Sequence, residues 1–236
     1  MFGKRKSKTC GLSKKEIERL AFFIYSGSDS ILTAAFSQLP LHVKRHCVQV
    51  SAVAGMMALC VRESDILPGM TRRECADAIR FGALYHEIGA YIVHNYRCMY
   101  PTAGEQFLQE QMRDLPIAPN VRQVVLEIVR FCCERYDGYG YPDQISGEEI
   151  PVHAAICAIA NTVDELIPTK LRLFYDPLAK AQKTVTDNEG KQFSPAAVDC
   201  FTTAYMDILH LYKAWRKSPP CWKTEDIKPP CPTPDE

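Results

Sequence analysis

The chain has no apolar run near the 18 or more residues of a membrane span, no net charge, no CxxC pair and no internal repeat. It also lacks any convincing period-two alternation of the kind that marks a half-buried strand. With no long apolar run, and with Met1-Phe2-Gly3-Lys4-Arg5-Lys6-Ser7-Lys8 where an apolar leader would stand, the expectation is a soluble, cytoplasmic protein with no membrane span. Lys plus Arg and Asp plus Glu both total 28, so bulk charge gives no hold on nucleic acid, and DNA is not an expected partner. The eleven cysteines are odd in number, and many sit on apolar helical stripes. Reduced, mostly buried thiols fit this pattern better than a disulfide framework. Lys4, Arg5, Lys6 and Lys8 form a terminal basic cluster, which reads as a solvated tail rather than a phosphate or membrane contact.

What is present is helical. At 236 residues the chain can bury one full core, and it divides into residues 1–40, a basic tail with short helices, residues 41–217, the main domain, and residues 218–236, a proline-rich tail. Ser13 to Glu16 has the form of a capping box with a helix following to Phe23, and Ser30 to Gln38 reads as a short helix stopped by Leu39-Pro40. Val43, Cys47, Val50, Ala54, Met57 and Val61 recur at helical spacing, which predicts a helix from Leu41 to about Arg62. Thr71 and Glu74 form a second capping box, ahead of a helix expected to run through His86. Further helices are expected over Gly104 to Arg113, after Pro119-Asn120, from about Val152, around Asp176 to Lys183, and from Ala196 to about Trp215 behind the Ser194-Pro195 cap. Asp, Gly, Tyr and Pro crowd positions 136 to 147, which are therefore a loop. The fold class is all-α, a helical bundle with one functional loop.

Four motifs fall in order along this chain. Leu41-His42-Val43-Lys44-Arg45 places a histidine and a basic run near the start of a long helix, and Tyr85-His86-Glu87-Ile88-Gly89 pairs an imidazole with a carboxylate. The loop reads Tyr136-Asp137-Gly138-Tyr139-Gly140-Tyr141-Pro142, followed by Gly147-Glu148-Glu149-Ile150-Pro151, and Gly190 to Pro195 leads into the last helix. Together they resemble the HD-GYP family of metal-dependent cyclic-dinucleotide phosphodiesterases, over about Leu41 to Tyr212. The resemblance implies an HD-domain-like bundle with a GYP loop, and a pocket in which His42, His86, Glu87, Cys132, Cys133 and Asn161 occupy the ligand positions.

Scaffold and ligands diverge within that resemblance. Glutamate replaces the aspartate of the His-Asp pair at Glu87, which adds a methylene and moves the donor by roughly an ångström or more. Ala90 stands where the family has a lysine, Tyr100 where it has a histidine before a proline, Cys132-Cys133 where it has adjacent histidines, and Asn161 where it has an aspartate. Tyrosine is a poor ligand for these ions at its ordinary pKa, whereas thiolates favour zinc or iron. A neutral asparagine cannot bridge two cations as a carboxylate does.

The resulting expectation is a degenerate HD-GYP-like signalling domain, catalytically impaired, with no cofactor or a single divalent metal: zinc, iron or manganese. It binds a nucleotide-type ligand in the cleft, such as a cyclic dinucleotide, or a protein through the loop, for which a GGDEF-type partner is the family's precedent. Tyr100, Arg135, Asp137, Gly138, Gly140, Tyr141 and Pro142 are the ligand- or partner-binding candidates, and Tyr139 joins Tyr141 as a candidate aromatic anchor. The alternative is a metal-dependent phosphohydrolase acting on cyclic di-GMP or a related nucleotide, with His86 and Glu87 as catalytic candidates at a remodelled site.

Overall fold

The computed structural model describes residues 30–93, 99–167, 176 and 178–217. The capping box at Ser13, the basic N-terminal cluster and the proline-rich tail lie outside them. The described residues form α1 (Ser30–Gln38), α2 (Leu41–Ala58), α3 (Arg72–Leu84), α4 (Ile88–Ile92), α5 (Tyr100–Gln111), α6 (Pro119–Phe131), α7 (Val152–Leu166), α8 (Ala179–Asp187) and α9 (Pro195–Lys217). No β-strand occurs among them, as the all-α expectation requires. The seven cysteines in this part are all free thiols.

Local signals set most of the helix ends. Thr71 accepts from the Glu74 backbone N–H at 3.2 Å, and Glu74 accepts from the Thr71 N–H at 2.8 Å. This reciprocal pair satisfies two donors that the first turn of α3 leaves open. Pro119 opens α6 at a position where a missing N–H costs nothing. Ser194 accepts from the Ala197 N–H at 3.2 Å ahead of α9. Several boundaries depart from expectation: α2 stops at Ala58, short of Arg62, α3 stops at Leu84, short of His86, α5 begins at Tyr100, four residues before Gly104, and α8 spans Ala179–Asp187 where the sequence suggests Asp176 to Lys183.

The core is built on α2, which packs against α3, α7 and α9. Its buried face carries Val50, Val53, Ala54, Met56 and Met57, while α7 brings the small residues Ala154, Ala155, Cys157 and Ala160 against the same cluster. Small side chains on α7 let the helix axes approach, so polar groups at the cleft end of α2 and α7 come within reach of each other. A second cluster, with Phe36, Leu84, Tyr85, Ile88 and Leu108, seats α1, α4 and α5 beside it.

The break between α3 and α4 matters most for the site. Helix α3 ends at Leu84, and Tyr85 donates its N–H to Gly82 in a tightened last turn. His86 and Glu87 therefore sit in a bend between two helices, not in the helix expected to continue through His86. Immediately beyond, Gly89 of α4 meets Gly104 of α5 backbone to backbone. A Cβ on Gly89 would lie 1.9 Å from the Tyr100 carbonyl oxygen and 2.7 Å from the Gly104 nitrogen. This contact fixes Tyr100 relative to Glu87, and no side chain in it can yield. Gly89→Ala should therefore cost about 3 kcal/mol or more, as overpacking against immovable backbone does. Urea melts of the two proteins check this, and a cost under about 1 kcal/mol would show that α4 is free to move.

Candidate metal and ligand site

Four segments converge on one end of the bundle: the second turn of α2, the α3–α4 bend, the C-terminal end of α6 with its loop, and the outer half of α7. Among the described residues, one group of potential metal donors comes together, namely His46, His86 and Glu87, with ligand atoms all within 4.8 Å of one another.

Each imidazole is oriented from behind. Asp164 of α7 accepts from His46 Nδ1 at 2.8 Å, and its other oxygen accepts from the Tyr212 hydroxyl of α9 at 2.9 Å. His86 Nδ1 donates to the Ala83 carbonyl at 2.7 Å, one of the acceptors left open where α3 ends. These partners assign the proton of each neutral ring to Nδ1 and turn both Nε2 atoms forward. Both then face the same atom, Asn161 Oδ1, at 2.7 Å from His46 and 3.3 Å from His86. The Asn161 amide cannot turn its nitrogen to them without losing the bond its Nδ2 donates to Glu165 at 3.2 Å.

Two nitrogen lone pairs aimed at one carbonyl oxygen repel unless a positive charge lies among them. A proton supplies it in one state. Burial disfavours the charged ring of His46, but the hydrogen bond and charge of Asp164 outweigh that and raise its pKa above the ordinary imidazole value. His86 moves the other way: burial dominates, and the nearby Glu87 carboxylate only partly offsets it, so this ring stays neutral. A divalent cation would supply the charge in its place. Ions bound at about 2.0–2.2 Å hold their donors about 3–3.5 Å apart; here His86 Nε2 and Glu87 Oε1 stand 4.0 Å apart and all three donors lie within 4.8 Å, so a small inward shift brings them to one ion. Imidazoles whose far nitrogen donates to a carboxylate or carbonyl are the usual form of metal ligands. His46, His86 and Glu87, with the Asn161 oxygen beside them, thus fit one ion.

The structure corrects one ligand assignment. His42 lies exposed in the first turn of α2, outside the cluster, and His46 takes the inward position. The two differ by one turn, about 6 Å along the helix axis, and the depth of Asn161 and Asp164 on α7 selects the inner one. Spacing alone gives both histidines nearly the same face, so the signal for His46 was its partner Asp164, 118 residues away.

The adjoining cavity, of about 700 Å³, is lined among others by Glu87, Ala90, Tyr100, Cys132, Cys133, Arg135, Tyr141 and Asn161. The sequence candidates Glu87, Cys132, Cys133 and Asn161 therefore do share one pocket, with His86 against its Asn161 wall. Tyr100 and Cys133 hydrogen-bond to each other at 2.8 Å between hydroxyl and sulfur. Burial raises the Tyr100 pKa, the hydrogen bond to Cys132 and then burial raise that of Cys133, and for Cys132 the lowering effect of the Cys133 bond is outweighed by the Cys157 bond and burial, so all three keep their protons while no cation is near. The described lining carries three carboxylates, Glu87, Glu134 and Glu165, against the guanidinium of Arg135. That guanidinium is already paired with Asp137 at 2.6 and 2.9 Å.

The GYP loop forms the rim. Glu134 accepts from the Asp143 and Gln144 backbone N–H groups at 2.6 and 3.0 Å, and Arg130 clamps Asp143 while also pairing with Glu105. Gly140 is pressed onto the chain it returns to, since a Cβ there would lie 2.3 Å from the Arg135 nitrogen. Gly138 takes a left-handed φ of 80°, and the Tyr141-Pro142 peptide is cis. The two tyrosines expected to act alike part company. Tyr139 is 84% exposed, whereas Tyr141 packs edge-on against Tyr100 with ring centroids 6.3 Å apart.

The His46–Asp164 pair sets a pH dependence in protein stripped of divalent ions. A raised folded-state pKa stabilises fully below the unfolded value of about 6.5, and the contribution is lost as pH rises through the raised value. The stability deficit of His46→Gln relative to the parent should therefore be larger at about pH 6 than at about pH 8.5, read from urea midpoints with chelator present. A deficit that grows with pH would show that His46 is held neutral.

Residues 100–195 match the HD domain family model. A cyclic di-GMP phosphodiesterase of Thermotoga maritima is 24% identical over 182 residues, which cover 73% of this chain and 47% of that protein. A 3'3'-cGAMP-specific phosphodiesterase of Vibrio cholerae is 25% identical over 163 residues, 67% of this chain and 30% of that one. A cyclic di-GMP phosphodiesterase of the same organism is 32% identical over 105 residues, 43% and 20% respectively. The chain spans less than half the length of each of these relatives. Residues 100–195 thus carry the HD-domain pattern, and the all-helical bundle and the GYP loop make the chain similar to these phosphodiesterases.

Proposed function

We propose that this domain is a signalling module in which one divalent cation, held by His46, His86 and Glu87, anchors a cyclic dinucleotide that is hydrolysed very slowly or not at all. The observation that carries this reading is the convergence of two Nδ1-tethered imidazoles on the Asn161 oxygen. Such a cation supplies positive charge to a phosphate oxygen and acidifies a bound water. The rest is done by the chain: Asp164 and Ala83 hold the rings, and Glu87 adds the anionic donor.

Two features argue against efficient turnover. Tyr100, Cys132 and Cys133 do not offer the imidazole and carboxylate donors of a second hydrolytic ion, and neutral Asn161 cannot bridge two. Ala90 on the cavity wall contributes no cation to the phosphate. The ligand class is taken from the relatives, whose names give cyclic di-GMP and 3'3'-cGAMP as what they act on. With three lining carboxylates and one paired guanidinium, an anionic ligand has no other described group to neutralise it.

A mononuclear phosphohydrolase with zinc, iron or manganese is the second reading, favoured by the same donor cluster. Protein contact at the loop adds to either, because Tyr139 at the rim is exposed and free for a GGDEF-type or other signalling partner.

Calorimetric titration with cyclic di-GMP, in Mn²⁺ and after chelation, tests the proposal. Binding should require the ion and weaken at least tenfold in His86→Ala, with no turnover detectable in the same tubes. Binding that is indifferent to chelation overturns the cation anchor. Turnover on the order of 1 per second or more, abolished by His86→Ala, makes the second reading correct.

A further inference from the structure

Of the three carboxylates in the described wall of the cleft, two already have a use. Glu87 belongs to the imidazole cluster, and Glu165 accepts from the Asn161 amide at 3.2 Å. Glu134, which follows α6 where the GYP loop begins, is different. It is only 4% exposed, and one oxygen, Oε1, takes both backbone N–H groups of the returning loop, that of Asp143 at 2.6 Å and that of Gln144 at 3.0 Å. The other, Oε2, is shielded from water and has no hydrogen-bond partner among the described residues. A buried polar atom left without a partner costs about 1–3 kcal/mol. Anchoring the loop needs Oε1 alone, so it does not account for a second oxygen in the cavity wall.

The chemistry of that oxygen narrows what can meet it. The terminal torsion of a glutamate side chain is soft, so a modest turn presents Oε2 to the cavity. An ionised carboxyl repels a phosphate oxygen, because both are anionic acceptors. A guanine edge offers two parallel N–H groups and calls for both oxygens of a carboxylate, whereas Oε1 is committed to the loop. A hydroxyl asks for one oxygen only. It is both donor and acceptor, so it pairs with Oε2 whether or not the carboxyl carries a proton. In a nucleotide the hydroxyl that stands beside the phosphates is the ribose 2′-OH, a group that carboxylates read in dinucleotide sites.

We propose that Glu134 is the sugar-reading residue of the cleft: its Oε2 bonds a 2′-hydroxyl of the cyclic dinucleotide, so that ribonucleotides with that hydroxyl free are selected over deoxy or 2′-linked ones. This inference rests on the nucleotide-binding reading above and adds to it a determinant of specificity. The cation then serves the phosphates and Glu134 the sugar, which gives one of the wall's carboxylates a role toward an anionic ligand.

Calorimetric titration of the full chain in Mn²⁺ compares cyclic di-GMP with its 2′-deoxy counterpart. The ribose form should bind tighter by about tenfold or more, the effect of a hydrogen bond to a charged group. Glu134→Leu, apolar and of similar size, should bring the two ligands to within about threefold of each other. Equal affinity in the parent chain overturns the proposal, and so does a preference that Glu134→Leu leaves intact, since another group then reads the hydroxyl. Where the variant does not fold, a crystal structure of the parent chain with Mn²⁺ and cyclic di-GMP decides. A 2′-oxygen within about 3 Å of Glu134 Oε2 supports the proposal, and a water or a base edge in its place overturns it. Loss of the sugar preference alone removes the role of Glu134 and leaves the cation-anchored site standing, whereas failure of both ligands to bind removes both.

Discussion

Two imidazole nitrogens share one amide oxygen, and that arrangement is stable only with a positive charge among them. Much of the fold is arranged around this demand. Tyr212 on α9 holds Asp164, Asp164 holds His46, the frayed end of α3 supplies the Ala83 carbonyl to His86, and Glu165 keeps the Asn161 amide from turning. Each outer partner is a hydrogen bond worth about 1 kcal/mol on its own. Acting together they hold the two Nε2 atoms on the Asn161 oxygen, so protons and any bound cation would act through the same groups. Competition between the two is built in, because the proton that His46 takes up below its raised pKa occupies the nitrogen a metal would use.

The GYP loop has a structural reason to exist that is separate from chemistry. Its polar residues are turned mostly inward. Glu134 bonds two backbone N–H groups of the returning chain, Asp137 secures Arg135, and Asp143 is clamped by Arg130. Gly140 permits the crossing of the loop over residues 134 and 135. A loop tied in this way is a rigid rim, and it sets Tyr141 against Tyr100 and Cys133. A motif can therefore remain almost whole in a chain whose ligand positions have changed, since most of it builds the wall and only Tyr139 is left for a partner.

Much of the bundle is legible in the sequence because short-range chemistry decides it. The Thr71–Glu74 capping box, Pro119 at the start of α6 and Ser194-Pro195 before α9 all act within four residues, and all appear where the pattern puts them. The break at Tyr85 was not legible, because its cause is tertiary. The Gly89–Gly104 backbone contact pulls α4 out of line with α3, and nothing in the local run from Arg72 to Glu87 encodes that. The His42 and His46 assignment failed for a related reason. Helical periodicity tells which face a residue occupies but not how deep along the axis the opposing helix places its polar groups. Only the packing of α7 on α2 brings Asn161 and Asp164 to the level of His46.

The electrostatics of the cleft give an order to its occupancy. Three carboxylates line the described wall, and Arg135 is already paired with Asp137. A dinucleotide with two phosphates meets repulsion there until a cation has bound, and the repulsion is stronger in a partly enclosed site than in bulk water. Glu87 belongs to the imidazole cluster, and its charge also acts on the Cys132 and Tyr100 protons. A cation at the histidines would offset the Glu87 field that favours the Cys132 and Tyr100 protons. The two halves of the pocket are thus coupled through one carboxylate, and replacing an aspartate-length side chain by glutamate at this position extends its reach toward both.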